Sequence, residues 1–228
     1  MIYAVKHNKV NRGIYKANED ALTSTIFERL MYLPKELMHH IIYTALVDTI
    51  KGLELHQIES ITFWPTWSAD GIKDKSRVEP DVFIRTANQD IIIEAKRYDK
   101  NQQSYTQWSN EIHAYYNEYA EDEKPLVFIA LGGLHKKETE IVSARGQQYD
   151  VYKCTWKAIL NTIQNLIHEM ETVSVYTNNN VAILNILNDM ILSFELFGFS
   201  TSLWLERFIK APQIKQESII YFAKEWTN

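Results

Sequence analysis

Asp81, Glu94 and Lys96 are two acids and a base set beside runs of Val, Ile and Phe. Chains rarely place such side chains in buried strands without cause. The flanking runs 82–85 and 91–95 predict two strands joined by a turn at Ala87-Asn88. Hairpin pairing about that centre sets positions whose numbers sum to 175 opposite one another. Arg85 then faces Asp90, an opposite-charge pair that supports the register. Asp81 faces Glu94 with Cβ atoms about 5 Å apart. Lys96 leaves the same face two residues on, opposite Glu79. Two facing carboxylates repel. A hard divalent cation, Mg²⁺ or Mn²⁺ in its place, takes carboxylate oxygens and keeps several waters. An ammonium beside it holds or polarises one of those waters and steadies developing negative charge. The chemistry on offer is metal-assisted hydrolysis of a phosphodiester. The plainer reading is a solvated, charged face of an edge hairpin, worth little in stability.

Pro80-Asp81, twelve residues, then Glu94-Ala95-Lys96 resembles the signature of the PD-(D/E)XK nuclease superfamily. The resemblance covers about residues 18–160, and 19–24 and 152–156 also look like segments of uncharacterised bacterial members. It implies a restriction-endonuclease-like core: an α/β fold with a mixed central sheet flanked by helices. It implies that Asp81, Glu94 and the carbonyl of Ala95 hold Mg²⁺, and that Lys96 activates or positions the attacking water. An acid on the first helix often completes such sites. Glu19 is the choice, because it shares the inward face of Leu22 and Ile26; Asp20 is rotated by about 100° and is second choice, and Glu28 points away. Gln107 resembles the Gln that follows the Glu-x-Lys strand in many of these nucleases. It fits a capping box with Ser104 equally well. Arg97 and Lys100 lie near the proposed site as phosphate contacts. Lys73, Lys75 and Arg77 are further candidates, in a loop that Asp70 and Asp74 dilute.

These residues need elements to hold them. Asn18 predicts an N-cap, followed by a helix with Leu22, Ile26, Leu30 and Leu33 at helical spacing. A second helix is predicted from Pro34, in its first turn, to Gly52. Strands are predicted at 58–67, 82–85, 91–95, 126–131 and 151–155, and a polar loop at 70–77. A helix over 104–120 buries Tyr105, Trp108, Ile112, Tyr115 and Tyr119. From Trp156 the chain reads helical, with segments at 159–170, 183–197 and 219–226 and a turn at Asn178–Asn180. The organisation is a core over 1–155 and a helical extension over 156–228 packed on it.

Composition bounds the rest. The chain has 228 residues, 46% hydrophobic and 23% charged, which excludes a disordered or low-complexity protein. Cys154 is the single cysteine, so no internal disulfide forms, which fits a reducing compartment. The longest apolar run is broken by polar residues and the N-terminus lacks a signal-peptide pattern, so a soluble, cytoplasmic protein without membrane association is expected. With a net charge of −5, any nucleic acid must be held by a local patch. DNA is expected ahead of RNA, as for most of the superfamily, with restriction or anti-phage defence as a family-level role. The apolar helix over 183–197 predicts a homodimer or a partner protein. The contrasting function is a non-catalytic nuclease-fold scaffold acting through those helices.

Overall fold

The computed structural model describes residues 18–50, 52–55, 57–98, 101–172 and 178–201. The Asn18 side chain accepts from the Ala21 N–H and starts α1, Glu19–Tyr32, whose first turn carries Glu19 and Asp20. Pro34, a residue with no N–H to satisfy, sits at the N-cap of α2, Lys35–Ala45. That helix stops seven residues short of the predicted Gly52, because Val47 donates its N–H to the Lys153 carbonyl and joins the sheet region instead.

The predicted strand over 58–67 divides. Strand β1 is Ile58–Phe63, and Trp64 leaves it in the left-handed region at φ 47°. After Pro65, Trp67–Ser68 (β2) pairs antiparallel with Arg77–Val78 (β3) as a separate ribbon, so the polar loop lies between two short strands. Strands β4, Val82–Thr86, and β5, Asp90–Ala95, form the expected hairpin with Arg85 opposite Asp90 and Val82 opposite Ile93. Ser104 accepts from the Gln107 N–H and caps α3, Tyr105–Tyr119. Strand β6 is Leu126–Leu131. Strands β7, Glu140–Ala144, and β8, Gln147–Cys154, form a hairpin of which sequence patterning showed just the last part. Its turn, Arg145-Gly146, has φ of 51° and 76° at its two residues, the backbone that two-residue hairpins favour. Helices α4, Trp156–Thr172, and α5, Asn178–Leu196, follow. Asn178–Asn180, expected as a turn, begins α5 instead. The segment 219–226 lies outside the described residues.

The six main strands form one mixed sheet in the order β1-β4-β5-β6-β8-β7. Pairs β5–β6 and β6–β8 are parallel and the remaining pairs antiparallel. The architecture is α/β with helices on both faces. One face carries Ile84, Ile91, Ile93 and Ile129 and packs on Leu22, Ile26, Ile41, Trp156, Ile163 and Phe194, so α1, α2, α4 and α5 share a single core. The opposite face carries Phe83, Ile92, Phe128 and Ala130, covered by Trp108, Ile112 and Tyr115 of α3 and by Trp67 of the ribbon. Alternation along β5 sends Glu94 to the α3 face with Ile92. No helix among the described residues is long and apolar enough to cross a membrane.

Candidate functional site

The hairpin register delivers Asp81 to the edge of the site, just before β4 begins. Asp81 turns back on the chain: its Oδ2 accepts from the Ala95 N–H at 2.8 Å and its Oδ1 from the Trp64 indole at 3.2 Å. Glu94 is 1% exposed. Its Oε1 accepts from Lys96 Nζ, in a short contact, and from Gln107 Nε2 at 2.7 Å. The buried Glu94 carboxyl also shares a hydrogen bond with the carboxyl of Glu111. Lys96 Nζ also donates to Glu19 Oε1 at 3.3 Å, while Glu19 Oε2 accepts from the Arg97 N–H at 3.0 Å. One ammonium therefore sits between an acid of the sheet, on β5, and an acid of the helix layer, on α1.

The structure thus brings together Asp81, Glu94, Ala95, Lys96, Glu19 and Gln107. Asp20 is exposed and meets Asn18, and Glu28 is exposed. The Gln107 N–H donates to Ser104 Oγ, one half of the capping box, while its side-chain amide goes to Glu94 instead of back to the Ser104 N–H. One pairing is corrected. Lys96 does not face Glu79, because β4 starts only at Val82; Glu79 accepts from Thr66 at 3.1 Å and pairs with Arg77 at 3.5 Å. Lys73 and Lys75 are exposed on the ribbon loop, which docks on α3 well beyond Gln107. Asn117 there donates to the carbonyls of Ser68 and Asp70. Ten helical residues on from Gln107 is about 15 Å. Arg97 is half-buried, with its guanidinium 5.3 Å from the Tyr98 ring centroid. Lys100 lies outside the described residues.

Three residues escaped sequence reasoning. Glu111, 1% exposed, follows Gln107 by one turn of α3 and sets its carboxyl in hydrogen-bond contact with that of Glu94. The spacing of four from Gln107 was the available signal. Gln103 is buried and donates to the carbonyls of Glu94 at 3.0 Å and Gly132 at 3.1 Å, while accepting from the Trp108 indole at 2.7 Å. It fastens the ends of β5 and β6 to α3. Trp64, at a strand end next to Pro65, gave no pattern beyond its aromatic type.

The electrostatics follow from burial. Desolvation first, and the Glu94 charge second, push the Asp81 carboxyl up to about 8, against the pull of the Ala95 N–H and Lys96. Burial also raises Glu94, partly offset by Lys96. Burial, then the charges of Glu94 and Asp81, raise Glu111 well above the usual carboxylate range. For Lys96, burial disfavours the ammonium, but Glu94 and Glu19 outweigh it and hold the lysine charged. Without a metal, the raised Asp81 and Glu111 hold their protons at neutral pH, Lys96 matches the Glu94 charge, and a bound cation would have to displace those protons. Asp81, Glu94 and a strand-end carbonyl are the hard oxygen donors that Mg²⁺ accepts alongside waters. The residues present fit that ion.

No protein-family model matches the chain. The chain is similar to an uncharacterized protein, PM0110, of Pasteurella multocida (strain Pm70), with 33% identity over 175 residues. The match covers 70% of this chain and 64% of that protein, so it spans less than two thirds of the relative's length.

Proposed function

We propose that the protein is a divalent-metal-dependent nuclease of the PD-(D/E)XK kind, with a restriction-endonuclease-like core, hydrolysing phosphodiester bonds in DNA. One observation carries this reading: Lys96 is held between Glu94 and Glu19, with the Asp81 carboxyl on the neighbouring Ala95 N–H. Asp81, Glu94 and the Ala95 carbonyl would hold Mg²⁺, with Glu19 as a further acid. The bound ion supplies Lewis acidity and a lowered water pKa. Lys96, kept charged by its two carboxylates, orients the attacking water and steadies the charge that develops on the phosphoryl oxygens. Gln107 and Gln103 fix the Glu94 carboxylate and its backbone. Arg97, next in the chain to Lys96, would contact an adjacent phosphate.

The test is Mg²⁺-dependent cleavage of DNA oligonucleotides by wild type and by Lys96→Ala. Loss of at least a hundredfold in rate, with melting temperature held within a few degrees and calorimetric Mg²⁺ binding retained, is the expected result. Equal cleavage by the two proteins removes Lys96 from the chemistry. No metal-dependent heat and no cleavage in wild type favour the scaffold function instead.

A further inference from the structure

Immediately beyond Lys96 the chain lines a cavity of about 150 Å³ bounded by Arg97, Tyr98, Phe197, Gly198 and Phe199. Resting on the nuclease reading above, we infer that this cavity receives the base of an unpaired nucleotide beside the scissile phosphate, so that the substrate is single-stranded or locally unpaired DNA.

Position is the first argument. Arg97 directly follows Lys96, and Glu19 holds both: one oxygen takes the Lys96 ammonium and the other the Arg97 N–H. At no more than about 3.6 Å per residue, the cavity wall begins within two residues, about 7 Å, of the Lys96 backbone. Composition is the second. Three aromatic rings and a guanidinium, with no acid among the lining residues, suit a flat π-system joined to a phosphate. Tyr98 is 61% exposed with the Arg97 guanidinium 5.3 Å from its ring centroid, so ring and cation lie together at the cavity wall. Gly198, at φ 89° and with open space where a Cβ would stand, keeps that side clear.

Rigidity is the third argument. Phe199 packs edge-on against Phe194 at 5.3 Å, and Phe194 against Trp156 at 6.3 Å. The Trp156 indole donates to the Lys96 carbonyl at 2.8 Å. The far wall of the cavity and the lysine are thus fastened to one another through the core. In an intact duplex each base is stacked and paired, and reaching such a cavity requires unstacking it. A single strand meets no such cost, and stacking on aromatic rings holds every base type.

The experiment uses the full chain with Mg²⁺ and matched fluorescein-labelled oligonucleotides: a single strand, a blunt duplex, a single strand carrying abasic sites, and an RNA of the same sequence. The single strand is expected to be cut at least tenfold more efficiently than the duplex. Tyr98→Ala should raise KM on the single strand by tenfold or more with kcat little changed, and Tyr98→Phe should restore it. The abasic strand should bind poorly and be indifferent to Tyr98→Ala. In the Lys96→Ala background, fluorescence anisotropy should show the same loss of single-strand affinity on Tyr98→Ala. Cleavage that favours the duplex, or a single-strand KM unmoved by Tyr98→Ala, overturns the base cavity and leaves the nuclease reading standing. Preference for the RNA overturns the assignment to DNA. Absence of metal-dependent cleavage on all four substrates overturns both.

Discussion

At Asp81, surroundings decide whether the site is charged before any metal arrives. Burial and the neighbouring Glu94 raise its pKa from the ordinary 3.8 to about 8. A carboxyl that binds its proton more tightly folded than unfolded contributes stability that is full below its unfolded pKa and is lost as pH rises toward the folded value. Metal-free protein should therefore melt lower at pH 8 than at pH 5. Asp81→Asn should flatten that dependence and raise the melting temperature at pH 8. For a chain of this size each 1 kcal/mol moves the midpoint by about 2–4 °C, so the contrast is readable by scanning calorimetry. Addition of Mg²⁺ should lift wild type at pH 8 and leave Asp81→Asn nearly unmoved. A melting temperature that rises from pH 5 to pH 8 without metal would contradict the burial argument. At this scale much was legible. Asp81, Glu94, Lys96 and Glu19 follow from register and helical face, which depend on alternation and a 100° step. Glu111 was not, because an acid on a helix reads as solvated unless the helix is known to lie over a sheet. Lys153 on β8 was missed for another reason, that its partner is distant in sequence: it is 1% exposed, paired with Glu140 at 2.9 Å and set 3.9 Å over the Trp108 ring.

Among the elements, the end of β6 does most to hold the lysine. Lys96 donates its N–H to Leu131 at 2.7 Å, and Gln102 and Gln103 donate theirs to Gly133 at 2.9 and 3.0 Å. Gly133 has φ 61°, and a Cβ there would stand 2.6 Å from Lys96 Cβ and 2.9 Å from its Cγ. Gly133→Ala should therefore combine left-handed strain, about 1–2 kcal/mol, with displacement of the lysine stem. Gly146 supplies the control: its φ is 76°, but a Cβ there meets nothing within 4 Å. Both Ala variants should lose a few degrees of melting temperature. A further tenfold or greater fall in kcat is expected for Gly133→Ala alone, and equal activity in the two would break the link between Gly133 and Lys96. The apolar run ending in Gly132-Gly133 marked β6 clearly in the sequence. The β7–β8 hairpin was obscure because its pattern is inverted at the ends: Glu140 is buried against Lys153 and Tyr105, while Ile141 is 58% exposed. Period-two patterning fails where an ion pair lies inside and an isoleucine outside.

Taken as a whole, the molecule is less divided than its sequence suggests. Trp156, Ile159, Leu187 and Phe194 lie in the same core as Leu22, Ile26 and Ile93, so the helical region after 155 completes the first layer of the fold. Sequence hydropathy showed α5 as apolar on all sides but not which side the core would take. Leu187, Met190 and Phe194 are buried, while Ile183, Leu184, Ile186, Ile191 and Leu192 stay half-buried among the described residues. We expect that remaining surface to pair with a second copy, since a two-fold pair is the simplest cover for an apolar helix. Light scattering after size exclusion should give twice 26.8 kDa at tens of micromolar, and a mass near 26.8 kDa would remove the dimer. Trp64, 37% exposed with its indole on Asp81, gives this assembly an optical handle. Indole emission responds to the charge of the group its N–H touches. Ionisation of Asp81, and its capture by a metal, should thus be written into the protein's own fluorescence, with no label attached.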